Sequence, residues 1–119
     1  VQDAALRPPA EDPERCVEWF KDLWLDVCLL RDRYLLPVRS LWWENPVQVE
    51  TLAAFSAWVD RYDSGEWDDP PGKLALLYDL ERVAALLREG LGPFDPERDR
   101  PEFERYLAGV LAVHERPAP

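Results

Sequence analysis

The stretch Leu41-Trp42-Trp43-Glu44-Asn45-Pro46 decides how this chain is read. Asn45 is a good helix cap, because its side-chain oxygen can accept a bond from a free backbone N–H. Pro46 suits the first helical position, where no N–H is needed. Gln48, three residues after the cap, is placed to close a capping box. The stretch therefore predicts the end of an irregular connection and the sharp start of a helix, with two indoles just ahead. Each packed indole buries roughly 200 Å², so the flanking elements are expected to close around the pair.

Working outward toward the N-terminus, Pro37 ends a preceding helix, since the residue before a proline disfavours the helical region. That helix is expected over 13–35, started by Asp12-Pro13. Val17, Phe20, Trp24, Val27, Leu30 and Tyr34 fall at steps of three and four and define one face. Trp19, Leu23 and Leu25 widen the stripe. Residues 1–12 contain Pro8-Pro9 and read as a flexible arm.

Toward the C-terminus, Val49, Leu52, Phe55, Val59 and Tyr62 give a second helix over 46–62, with Ala53 and Trp58 beside the stripe. Residues 63–72 form a Gly- and Pro-punctuated acidic loop. A third helix over 73–89 carries leucine around much of its circumference, which places it near the centre of the fold. Gly90 is expected as its left-handed cap, with Leu91 in contact. Gly92-Pro93-Phe94 follows, Phe94 being the anchor of that connection. Asp99 and Glu102 fit a capping box for a fourth helix over 100–114, and 115–119 read as a tail. No segment alternates as a strand does. The expected fold is all-α, a compact bundle of four helices in one domain over 13–114. Its core is built on Trp24, Trp42, Trp43, Phe55, Trp58, Leu77 and Leu80.

The 119 residues carry a formal net charge of -10. Phosphates repel such a surface, so direct nucleic-acid binding and anionic membranes are disfavoured. No apolar run approaches the roughly 20 residues of a membrane span, and no signal peptide opens the chain. Cys16 and Cys28 would stand roughly 18 Å apart on one helix, beyond disulfide reach, and are expected as reduced thiols in a cytoplasmic protein.

Chemistry is hard to assemble from these residues. The one His, His114, sits at a helix end, where it suits the helix dipole. One His and two separated Cys do not make a zinc site. Counting from Asp60, Ser64, Gly65 and Asp68 match places in an EF-hand loop, but Tyr62 and Pro71 fall where ligands are required. Neither a metal nor a cofactor is implied. Glu44, beside the indoles, is the acid to check for burial, or for pairing with Arg39. Trp67, among Glu66, Asp68 and Asp69, is a candidate exposed anchor for a protein partner, and Trp19 is a second.

The order Val17-Glu18-Trp19, Leu41-Trp42-Trp43-Glu44-Asn45-Pro46, Leu52, Trp58 and Gly92-Pro93-Phe94 resembles a domain family of actinobacteria. That family is marked by a Trp-Trp-Glu-His-Pro core and a later Gly-Pro-Phe, and is common on plasmids, phages and mobile elements. The resemblance spans roughly 16–97. This chain has Asn45 in place of the His and lacks the Cys that often precedes the pair. It implies source and context and no activity.

Three readings of function follow. The leading one is a non-enzymatic acidic module that binds a protein partner with a basic surface. The alternative is an inhibitor that imitates DNA, acting on a nuclease or another nucleic-acid-binding enzyme. The third is a small enzyme using buried carboxylates.

Overall fold

The computed structural model describes residues 6–115, with side chains as far as Val113. The ends of the expected arm and tail, and the side chain of His114, lie outside the described residues. The chain is all-α: α1 (Pro13–Tyr34), a 3₁₀ turn (Trp42–Glu44), α2 (Pro46–Asp63), α3 (Pro70–Tyr78), α4 (Leu80–Leu86) and α5 (Pro96–Glu115). With α3 and α4 following one another as a single broken rod, the described residues form four rods.

Each start is written in capping chemistry. The Asp12 carboxylate accepts from the N–H groups of Glu14 and Arg15 at 3.1 and 3.3 Å, and Pro13 occupies the first turn. Asn45 does the same for Val47 and Gln48 at 3.0 and 3.3 Å. The Gln48 side chain does not close a capping box; it is buried and its amide donates to the Glu89 carbonyl. Asp69 caps α3 by accepting from the Gly72 N–H at 2.9 Å, so that helix begins at Pro70 and not at 73.

The last helix also starts earlier than its sequence pattern suggests. Asp95 is the cap, accepting from Glu97 and Arg98 at 3.1 and 3.3 Å, and Pro96 opens the helix. The chain offers two proline starts, Asp95-Pro96 and Arg100-Pro101, and the one with an acidic cap wins. Pro101 lies inside the helix. Asp99 is therefore not a cap but a buried group that accepts from Ser40 Oγ at 2.8 Å and from the Asp95 N–H at 3.1 Å.

The connection after α1 holds the fold together. It leaves the helix through Leu35 and enters the 3₁₀ turn through Leu41, both left-handed with φ of 54° and 61°. Between them the chain runs beside 92–94: the Ser40 N–H donates to the Gly92 carbonyl and the Phe94 N–H to the Val38 carbonyl, both at 2.9 Å. Gly90 does not serve as a helix cap. Its φ is +147°, and a Cβ there would come within 2.7 Å of the Arg39 Cβ. The helix it was expected to cap has already ended at Leu86, and Leu91 is exposed.

This double strand of loop delivers three rings to one place. Trp42, Trp43 and Phe94 meet Trp24 from α1 and Phe103 from α5. Trp24 stacks on Phe103 with ring centroids 4.4 Å apart and stands edge-on to Phe94 at 4.9 Å. Trp42 and Trp43 are perpendicular at 5.8 Å. All five rings are buried. Such pairs contribute about 0.5–1.5 kcal/mol each beyond their buried area.

From this cluster the rods spread in a row. α5 packs on α1, α1 on α2, and α2 on α3 and α4. The expectation that the third helix lies at the centre is thus overturned: it sits at one end of the row, with α2 as its main helical neighbour. Of the leucines there, Leu76 and Leu87 are buried and Leu80 is half-buried, while Leu77, expected in the core, faces outward with 39% of its surface exposed. Trp58 is likewise only half-buried against the core. A helix needs one apolar stripe per packed neighbour, and here one main neighbour meets a helix with apolar residues to spare.

Candidate docking surface

The loop 63–69 and the rod α3–α4 form the most unusual surface among the described residues. Trp67 stands edge-on to Tyr62 at 5.8 Å, and the Arg61 guanidinium lies 5.2 Å from its ring centre. Arg61 also pairs with Glu66, and the Trp67 N–H donates to the Arg61 carbonyl. The Tyr62 hydroxyl donates to Asp69 at 3.0 Å. Removal from water and the adjacent Asp69 carboxylate raise the Tyr62 phenol above its ordinary pKa. The indole is thus held in a fixed pose while remaining 44% exposed. Glu66, Asp68 and Asp69 are exposed around it.

Beyond Asp69, Leu74, Leu77, Tyr78 and Leu86 also face solvent, Leu74 at 55% and Tyr78 at 81%. Leu74 and Tyr78 lie one turn apart on α3, as Arg82 and Leu86 do on α4. Ala75 and Ala85 beside them are exposed and small. Glu66, Asp68 and Asp69 gather at the N-terminal end of the rod, with Lys73 just beyond them; in its C-terminal part Arg82 and Arg88 are matched by Glu81 and Glu89.

The structure thus puts four of the five expected partner-binding residues, Trp67, Glu66, Asp68 and Asp69, beside the exposed Leu74, Leu77, Tyr78 and Leu86, of which Leu77 was expected in the core. Trp19 is not part of it. It is 5% exposed and packs edge-on to Phe20 at 5.2 Å, because α1 buries a wide arc between α5 and α2. The missed residues had a signal: a helix apolar on all sides must bury every side or dock something.

The other chemical candidates are partnered or open to water. Glu44 is exposed. Asp26 lines a groove of about 180 Å³ between α1 and α2 with Leu29, Arg33, Ser56, Asp60 and Asp63. Burial raises its pKa, against the hydrogen bond from Ser56 Oγ at 2.9 Å. Arg33 pairs with Asp63 at 2.7 Å in the same groove. Both cysteines are free, and burial raises both thiols. Among the described residues no helix is long and apolar enough to cross a membrane. Comparisons of the chain with protein-family models, curated proteins and solved structures gave no match.

Proposed function

We propose that this protein is a non-enzymatic interaction module, and that loop 63–69 with the outer face of α3–α4 is where it docks a protein. The observation that carries this reading is a group of exposed apolar side chains: Trp67 in the loop and Leu74, Leu77, Tyr78 and Leu86 on the rod that follows it. Trp and Tyr are enriched among the energetic centres of interfaces, which makes Trp67 and Tyr78 the anchors of this surface. The acids beside Trp67 favour a basic contacting surface on the partner. The likeness of Leu41–Pro46 to the actinobacterial family supports the further part of this proposal, that the module comes from an actinobacterium or its mobile elements.

Imitation of DNA is the weaker reading. It needs carboxylates repeating like phosphates, whereas here Asp32, Asp63, Glu66, Asp99 and Glu102 each pair with an arginine. A carboxylate enzyme has little to work with, since Asp26 is already engaged by Ser56. Immobilised protein should retain a partner from host lysate, and Trp67→Ala or Tyr78→Glu should release it. Equal retention by the wild type and both variants would overturn the proposal.

A further inference from the structure

We infer that the groove between the N-terminal arm, the 3₁₀ turn and α5 is a second docking site, and that it takes a basic, proline-containing segment of another protein in extended form. The site is separate from the α3–α4 face and does not rest on it. Its cavity is about 220 Å³. Phe20, Trp43 and Tyr106 line it, Glu44 and Glu50 stand beside them, and Arg7 and Pro8 of the arm complete the wall. Pockets that enclose a small molecule usually run to about 300–1,000 Å³. This one is smaller and open along the arm, which suits one or two side chains of a segment lying on the surface.

Three observations select this occupant. First, the chain itself places an example of it there. In Arg7-Pro8-Pro9 the two prolines are half-buried between the exposed Arg7 and Ala10. Proline presets its own backbone and has no N–H to satisfy, and proline-rich segments dock on aromatic-lined grooves for that reason. Second, the arm is an incomplete ligand. Among the described residues no hydrogen bond or ion pair joins 6–11 to the rest of the chain, and space remains beside it. A free segment can displace it without breaking a directional bond. Third, the charges match. Glu44 and Glu50 are exposed and pair with no cation among the described residues, although Arg7 lines the same groove. Arg7 is tethered through the Asp12 cap to α1. An arginine or lysine on a separate segment is free to choose its register and reach both carboxylates.

A labelled peptide Leu-Arg-Pro-Pro-Ala, copied from residues 6–10, tests this by fluorescence anisotropy against the full chain. A tethered competitor acts at an effective concentration in the millimolar range. Blunting the arm with Arg7→Glu, Pro8→Gly and Pro9→Gly together should therefore tighten the peptide by about tenfold or more. Adding Glu44→Lys and Glu50→Lys to that variant should abolish the gain. These side chains are exposed or half-buried, and circular dichroism verifies that the fold is kept. In a 15N-labelled arm variant the peptide should shift the Trp43 indole N–H and the amides of 43–50. A peptide with glycine for both prolines should bind neither form. Trp67→Ala should leave the peptide affinity unchanged, which separates this site from the α3–α4 face. No binding to the arm variant, equal affinity for wild type and arm variant, or indifference to the Glu44 and Glu50 substitutions would overturn the inference. So would shifts confined to loop 63–69 and α3–α4.

Discussion

Trp42 and Leu74 are both large apolar residues of a helical protein, yet the first is wholly buried and the second is more than half exposed. The difference lies in how many elements converge on each. Around Trp42, α1, α5, the 3₁₀ turn and the loop 92–94 close from several directions, so every face of the ring meets another side chain. Around α3, which carries Leu74, the described chain supplies α2 and α4 as helical neighbours and leaves the outer face to water. Both regions are rich in apolar residues; only one has enough neighbours to use them. One is the fixed scaffold and the other the surface it presents.

Substitutions should separate the two regions most clearly in stability. Trp24→Ala or Phe103→Ala should cost about 3–5 kcal/mol by removing a ring from a close-packed cluster. Leu74→Ala should stay within about 0.5 kcal/mol. Urea denaturation of the three variants measures this, and equal costs would erase the distinction. Amide exchange should agree, with α4 opening well before the middle of α1.

The ties that close the scaffold should show next. Burial alone would raise the Asp99 pKa, but hydrogen bonds from Arg98, the Asp95 N–H and Ser40 together hold it below the ordinary carboxylate value. A depressed folded-state pKa adds stability that is present above the unfolded value, about 3.9, and is lost as pH falls through the folded value. Asp99→Asn should therefore destabilise by about 1–3 kcal/mol at neutral pH, and the deficit should shrink in acid. A deficit that is constant from neutral pH to acid would mean that the charge of Asp99 contributes nothing.

A smaller effect of opposite sign is expected at Leu35. It holds a left-handed φ of 54° while 85% exposed. Leu35→Gly should relieve about 1–2 kcal/mol of backbone strain and give back part of it in chain entropy, for a net gain of about 0.5–1 kcal/mol. Thermal unfolding reports the sign, and a loss would show that the connection is held by more than its dihedrals. Smallest of all should be Asp26→Asn. It removes a carboxylate whose pKa burial raises, and the new side-chain oxygen can still accept from Ser56. Stability at neutral pH should match or slightly exceed the wild type within about 0.5 kcal/mol, and a larger loss in urea denaturation would assign the charge a role.

The sequence by itself determined the class, the number of rods and two of their starts. Asp12-Pro13 and Asn45-Pro46 act within a few residues, where a carboxylate or amide either reaches a free N–H or does not, so they can be read without knowing anything distant. The burial of Trp42, Trp43 and Phe94 was legible for a related reason: rings that large, in the short connections between helices, have the core as their nearest shelter from water. Tertiary structure decided what depends on neighbours. That Asp99 is a buried tie and not a cap depends on Ser40, which engages it from 59 residues away. Whether Trp19 is an anchor or core turned on how wide an arc of α1 is covered. The place of α3–α4 could not be read at all, because periodicity tells which sides of a helix are apolar and not how many of them find a partner.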